Sequence, residues 1–356
     1  MSYDAPPSRE LSPDDALPPV EPPSAGFIVQ LFVVPGVIVV VVVMIWVMFN
    51  WLAQKGNDRD AFVRALGRNN EARWQAAFNL ATALRAERGA SSPTLTNDPQ
   101  LATQLAAILD RELEAANMEN NSVTLRIYLS RALGEFEVPD GLPVLIKAAT
   151  TERDPRESDV RRAALEGIAL LASNVGADNP SFTGDEKLQE AIASAASDSD
   201  PRTRTVAAVV LGVLGGEKNI ERLHALLDDT NPDVRYNAAT RLAHHGDAAA
   251  VGVLSKMLDP AETAGVTIEK EEEMRPFKRA LITLNALRAI GQLAEKNSSA
   301  DLGSLKAAVE KLMAGDATGE IRVEATSALR HLDARSVPKA TRRGTPSRAA
   351  AAHSAV

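Results

Sequence analysis

Residues 219–246 have the most regular pattern of apolar and polar positions in the chain. Apolar residues recur at helical spacing in two segments, 219–229 and 233–246, which predicts two short amphipathic helices. Asn231, Pro232 and Asp233 predict the end of the first helix and the capped start of the second. Two helices this short cannot bury their apolar stripes alone, so we expect the pair to stack on copies of itself. The stripe residues are Ile220, Leu223, Leu226 and Leu227, followed by Val234, Ala238 and Leu242.

This pattern recurs as about seven helix pairs over residues 58–332. Most second helices align on an arginine that is followed three residues later by alanine. Arg126 has Leu129 in the alanine position, and the sixth pair, with its second helix at about 276–293, has Thr283 where the arginine should be. The aligned arginines are Arg73, Arg126, Arg161, Arg204, Arg235 and Arg322. The first helices are predicted at 58–67, 99–116, 140–150, 186–197, 218–228, 247–258 and 302–314.

Four second helices share an acidic residue, an arginine and a following small residue in the same phase. Through these motifs the chain resembles the HEAT-repeat family, including the HEAT-like repeats of phycobilisome lyases. The resemblance covers about residues 58–332 and implies an all-α fold, an α-solenoid preceded by one transmembrane helix. It also implies a structural role, tying adjacent turns, for Arg73, Arg126, Arg161, Arg204, Asp233, Arg235 and Arg322. The motifs are Asp159-Val160-Arg161-Arg162-Ala163-Ala164, Asp200-Pro201-Arg202-Thr203-Arg204-Thr205-Val206-Ala207-Ala208, Asp233-Val234-Arg235-Tyr236-Asn237-Ala238-Ala239 and Glu320-Ile321-Arg322-Val323-Glu324-Ala325.

The transmembrane helix is predicted at Phe27–Phe49, which contains no charge and a single polar side chain, Gln30. At 1.5 Å per residue this segment reaches about 35 Å, enough for a hydrocarbon core of ~30 Å. Trp46 and Trp51 suit the membrane interface at its C-terminal end. The alternative is a cleaved signal peptide. Its apolar region would be too long, the residues before it are acidic, and no A-x-A-like cleavage site follows, so we predict an uncleaved anchor.

Positive charges beside the anchor predict its orientation. Lys55, Arg59, Arg64 and Arg68 follow the anchor closely, whereas residues 10–26 contain no lysine or arginine. The positive-inside bias therefore predicts a single-pass membrane protein with its N-terminus outside and its solenoid in the cytoplasm.

Composition divides the chain into five predicted parts. Residues 1–26 have seven prolines and a net charge of −4, and residues 334–356 have a net charge of +5, so both ends are predicted to be disordered. The parts are a Pro-rich acidic tail (1–26), the transmembrane helix (27–49), a juxtamembrane linker (50–57), the solenoid (58–332) and a basic Ala-rich tail (333–356).

The charge distribution argues against nucleic-acid binding by the body of the protein. Of the total charge of −8, residues 27–333 hold −9. Binding to a phosphate backbone depends on lysine and arginine, so only the basic C-terminal tail could contribute to it. That tail could equally contact an anionic membrane leaflet or an acidic protein.

Three connections are longer than a turn needs, namely residues 89–100, 173–187 and 259–277. Long insertions in solenoids lie at the edges and often carry binding. The last insertion belongs to the pair that lacks the arginine, and we expect it to contact a partner or to be a solvated loop. Its acidic candidate contact residues are Glu262, Glu269, Glu271, Glu272 and Glu273.

No pattern in the chain predicts a catalytic, cofactor or metal site. The chain has no cysteine, and adjacent His244 and His245 have no third ligand at a suitable spacing. We therefore predict a membrane-tethered, non-catalytic scaffold that binds protein partners and needs no cofactor. The alternative is a HEAT-like enzyme, similar to bilin lyases or to base-excising DNA glycosylases. An acidic body with few aromatic residues disfavours a glycosylase, and a lyase would be expected to be soluble and loaded with bilin.

Overall fold

A computed structural model describes residues 26, 29–55, 59–68, 72–88, 93–315, 317 and 319–335, with the backbone alone for residues 49–55. Over these residues the chain is helical and contains no strand. It divides into two compact units, Met1–Asp58 and Arg59–Val356. The two predicted tails lie almost wholly outside the described residues.

The first unit contains a long apolar helix. A π-helical turn, Val29–Val33, leads into α1, Val34–Lys55, so the helix continues past the predicted end of the span. Pro35 lies in the first turn of α1, where its missing N–H costs no helical hydrogen bond. Val29–Met48 is long and apolar enough to cross a membrane, and none of it is buried within the protein. An N-terminal signal sequence has the same properties.

The second unit consists of helix pairs. Among its described residues there are seven first helices and seven second helices. The first helices, and the second helices predicted at 233–246 and 276–293, begin and end within a few residues of the predicted bounds. The first helices are α2 (Arg59–Gly67), α4 (Pro99–Ala115), α6 (Leu142–Thr150), α8 (Glu186–Ala196), α10 (Glu217–Leu226), α12 (Val251–Leu258) and α14 (Gly303–Met313). The second helices are α3 (Arg73–Glu87), α5 (Asn120–Gly134), α7 (Ser158–Val175), α9 (Pro201–Leu214), α11 (Pro232–His244), α13 (Arg275–Lys296) and α15 (Gly319–Ala334).

Short polar side chains start many of these helices. Asp98, Asp200 and Asn231 each accept hydrogen bonds from backbone N–H groups of the first turn, and a proline follows each of them. The side chain satisfies an otherwise unpaired donor, and the proline occupies a position whose N–H has no partner in the helix. The predicted boundary at Asn231 and Pro232 is confirmed.

Second helices pack on second helices to form one layer, and first helices form the other. Small residues allow the close approach of neighbouring second helices. A Cβ atom at Gly167 would lie 2.6 Å from the Ser130 carbonyl oxygen, and one at Gly134 would lie 2.7 Å from the Gly167 Cα atom. Leucine, isoleucine, valine and alanine side chains fill the continuous core between the layers.

Candidate functional site

The aligned arginines connect consecutive helix pairs, as Arg204 illustrates. Its guanidinium donates to the carbonyl oxygens of Asp198 and Ser199 in the turn of its own pair, at 2.8 and 3.1 Å. It also donates to both carboxylate oxygens of Asp229, at 2.7 and 2.8 Å. Because Asp229 lies in the turn of the next pair, Arg204 ties two successive turns together. Arg204 lowers the pKa of the Asp229 carboxyl against the opposing effect of burial.

Arg126 and Arg161 make equivalent bridges. Arg126 is fully buried, and it donates to the Asn117 carbonyl at 2.8 Å and to the Glu157 carboxylate at 3.0 Å. Arg161 donates to the Ala149 carbonyl and pairs with Asp198 of the next turn.

Arg73 makes the first such bridge in the array. It donates to the Leu66 carbonyl at 2.8 Å and pairs with Glu112 in α4 at 2.8 Å. We use the term arginine ladder for these contacts of Arg73, Arg126, Arg161 and Arg204.

The ladder changes at the fifth pair. Arg235 donates to the carbonyls of Asp229 and Thr230 in its own turn, at 2.7 and 3.1 Å, but it makes no ion pair with a described residue of the next pair. Asp233 makes that connection by accepting from the Lys278 ammonium at 3.0 Å. Arg322, in the last pair, is exposed, and its guanidinium makes no hydrogen bond or ion pair with any described residue.

The sixth pair has a substitute arginine that sequence alignment missed. Arg279 lies one helical turn before Thr283 and donates to the carbonyls of Asp259 and Glu262 in its own turn. The Thr283 hydroxyl donates to the Arg279 carbonyl at 3.0 Å and makes no hydrogen bond to a described residue of the next pair. The arginine that secures this turn is therefore displaced by four positions, and the periodic alignment could not place it.

The predicted acidic contact residues divide into two groups. Glu262 and Glu269 are half-buried and accept from the backbone N–H groups of Ala264 and Glu271, so they stabilise the loop itself. The other three, Glu271, Glu272 and Glu273, are exposed, and Glu272 pairs with Arg275 at 2.9 Å. The segment also contains two short helical turns, Ala264–Thr267 and Glu272–Met274.

An exposed apolar stripe follows these three glutamates. Met274, at the N-cap of α13, and Phe277 and Leu281, within α13, are 46%, 70% and 56% exposed, and their spacing places them on one side of the helix start. Ile268, in the preceding loop, is also exposed. Four of the six exposed large apolar side chains in the described part of the second unit therefore belong to residues 268–281. Sequence analysis missed the stripe because spacing does not show which face of a helix is covered.

The side chains of His244 and His245 make contacts within the fold. His245 lies 2.6 Å from the Gly212 carbonyl oxygen, and burial lowers the pKa of His244. Within the described part of the chain, no group of three or more histidine, aspartate or glutamate side chains is arranged to hold a metal ion.

Comparison with known proteins confirms the repeat class. Residues 184–269 match the family of HEAT repeats. This segment covers the fourth and fifth pairs, the first helix of the sixth pair and residues 259–269 of the insertion. The predicted resemblance to HEAT repeats and the predicted all-α solenoid are confirmed. No curated protein matches the chain by sequence.

Three solved structures that are similar to this chain match it at low TM-scores. An engineered protein is 20% identical, with 78% of this chain and 98% of that chain covered and a TM-score of 0.38. A designed armadillo repeat protein is 21% identical, with 71% and 99% covered and a TM-score of 0.35. Human deoxyhypusine hydroxylase, in complex with glycerol, is 18% identical, with 78% and 97% covered and a TM-score of 0.31. At these sequence identities and TM-scores, the similar structures assign no activity to this chain.

Proposed function

We propose that this protein is a membrane-tethered, non-catalytic scaffold whose HEAT-repeat solenoid binds a protein partner. The observation that carries the proposal is the apolar stripe of Met274, Phe277 and Leu281, which is left exposed at the predicted contact segment. Exposed apolar side chains that cluster in one place are typical of interaction sites, whereas single ones are ordinary surface features.

The charges beside the stripe define the partner's chemistry. Glu271, Glu272 and Glu273 are exposed immediately before it. A complementary partner has an apolar pocket or helix face for Phe277 and Leu281, rimmed by lysine or arginine. The apolar contacts supply affinity, and the charged rim supplies orientation and association rate.

The membrane part of the proposal rests on residues 27–49 and their flanks. An apolar helix that is unburied over Val29–Met48 is stable in lipid without a partner. The positive charges that follow it favour a cytoplasmic solenoid with the N-terminus outside. The basic C-terminal tail then lies on the same side as an anionic leaflet.

The contact surface can be tested by site-specific photo-crosslinking in native membranes. A photoreactive residue at position 277 of the full chain should crosslink to one protein partner. In the Leu281→Ser variant the yield should fall by about tenfold, because about 1.4 kcal/mol of apolar contact is lost.

Val323→Ser is the matched control. Val323 is 70% exposed, like Phe277, but belongs to the last pair and lies outside residues 268–281. This change should leave the crosslink unchanged. The proposal is wrong if position 277 gives no crosslinked protein, or if both variants reduce the yield equally.

A further inference from the structure

The sixth helix pair lacks, at the aligned position, the arginine that connects each of the first four pairs to the next one. Arg204 spans from the turn of its own pair to the carboxylate of Asp229 in the next turn. Thr283 occupies the aligned position in the sixth pair and is buried. A threonine side chain is too short to reach a neighbouring turn, and its hydroxyl is already bonded to the Arg279 carbonyl.

A cavity of about 640 Å³ lies where the missing arginine would extend. Its walls come from the sixth and seventh pairs, namely α12, α13, α14 and the start of α15. This volume is within the range of about 300–1,000 Å³ that is typical of small-molecule sites. The residues that define its chemistry are Leu258, Arg279, Thr283, Lys311, Leu312 and Ile321.

The lining is mainly apolar but has more cationic than anionic side chains. Arg279 donates to backbone carbonyls alone and has no ion pair with a described residue. Lys311 is exposed at the edge and is likewise without an ion pair to the described part of the chain. Among the described residues of the wall, Asp259 alone has a carboxylate, and it accepts from the Ala261 N–H. An apolar cavity with two uncompensated cations and one occupied carboxylate favours a ligand with one negative charge.

We propose that this cavity binds a small aliphatic carboxylate. The aliphatic chain lies against Leu258, Leu312 and Ile321, and the carboxylate is held by Arg279 and Lys311. In this arrangement the ligand replaces the absent arginine as the filler between two turns. The inference depends on neither the membrane anchor nor the stripe on α13, so it stands if the proposed function fails.

The absence of cysteine makes a site-specific test possible in the full chain. Ser255 is half-buried in the cavity wall, so Ser255→Cys places a single thiol there. The variant is reconstituted in phosphatidylcholine nanodiscs, and the rate of its reaction with a water-soluble maleimide is measured with and without decanoate. Decanoate should slow the labelling of position 255 by at least about fivefold at saturation, since the ligand covers the thiol.

Three controls separate this site from nonspecific effects. Ser298→Cys, at an exposed position outside the cavity, should label at the same rate with or without decanoate. Thr283→Arg, in the Ser255→Cys background, should fill the space and remove the protection. Lys311→Met should weaken the binding of decanoate by about tenfold, because one charge-assisted hydrogen bond is lost. The same change should leave the binding of decan-1-ol unaffected.

Three results would show that protection does not come from a carboxylate bound in this cavity. The proposal is overturned if decanoate does not protect position 255, or if decylamine protects it as well as decanoate does. It is also overturned if Thr283→Ser, which keeps the cavity open, abolishes protection as completely as Thr283→Arg does.

Discussion

At the residue scale, the arginine ladder shows why these cations occupy interior positions. Arg126 and Glu157 are both almost fully buried, and each has further hydrogen bonds, although the buried Nε of Arg126 has no partner among the described residues. A buried ion pair contributes little net stability compared with apolar packing, but loss of one partner leaves a charge without compensation. The ladder is therefore better explained as fixing the register of successive turns than as adding stability.

The Arg204–Asp229 pair gives a pH-dependent prediction. The folded-state pKa of Asp229 is below its ordinary value of 3.8, so its contribution to stability is present above that value and is lost as pH falls through the folded pKa. We expect Arg204→Met to lower the free energy of unfolding by about 2 kcal/mol near pH 7. The difference from the unmodified chain should shrink as pH falls below 3.8.

Urea unfolding of the full chain in a non-ionic detergent, followed by circular dichroism, measures this difference. Arg202→Met is the matched control because Arg202 is 73% exposed and pairs with Asp200 at the surface. Its effect should not exceed about 0.5 kcal/mol. A difference between Arg204→Met and the unmodified chain that stays constant down to pH 2 would contradict the assigned role of Asp229.

At the element scale, glycine sets the distance between α5 and α7. A Cβ atom at Gly167 would meet a backbone oxygen that cannot move without shifting the helix. We expect Gly167→Ala to destabilise the array by about 1–2 kcal/mol. The reason is that overpacking costs ~1–3 kcal/mol, whereas the better helix propensity of alanine contributes at most ~1 kcal/mol.

Gly252→Ala provides the comparison within the same chain. Gly252 also lies in a helix, but a Cβ atom there would have no neighbour within 4 Å. The thermal unfolding midpoint should therefore rise slightly or stay unchanged for Gly252→Ala and fall for Gly167→Ala. Equal shifts for the two variants would show that close packing at Gly167 is not the controlling factor.

Local sequence patterns explain which elements could be predicted from the sequence. Apolar periodicity and capping residues determine helices locally, so the bounds of α4, α8 and α11 follow from sequence. The partner of each ladder arginine lies in the next pair, and sequence spacing does not specify it. Arg279 was missed because it lies four residues before the aligned position, one turn earlier on the same face of α13. The stripe on α13 was missed because its exposure depends on which neighbours cover it.

At the scale of the whole molecule, the two units differ in whether protein covers their apolar side chains. The solenoid buries its apolar residues within itself, whereas the side chains of Val29–Met48 have no protein to cover them. In water such a helix would expose a large apolar surface, and in a bilayer the same surface is favourable. If Val29–Met48 spans a membrane as proposed, this helix lies in lipid and the solenoid in water. The orientation of the chain then decides which compartment the proposed contact surface at residues 268–281 faces.

Single cysteines test that orientation in intact cells with a membrane-impermeant maleimide. We expect Asp15→Cys to react without permeabilisation and Ser298→Cys to react after permeabilisation alone, because the positive charges that follow the anchor retain the solenoid in the cytoplasm. The mass of the labelled Asp15→Cys chain should be that of the uncleaved protein. The reverse labelling pattern would place the solenoid outside. A chain whose N-terminus begins after the apolar segment would identify that segment as a signal sequence.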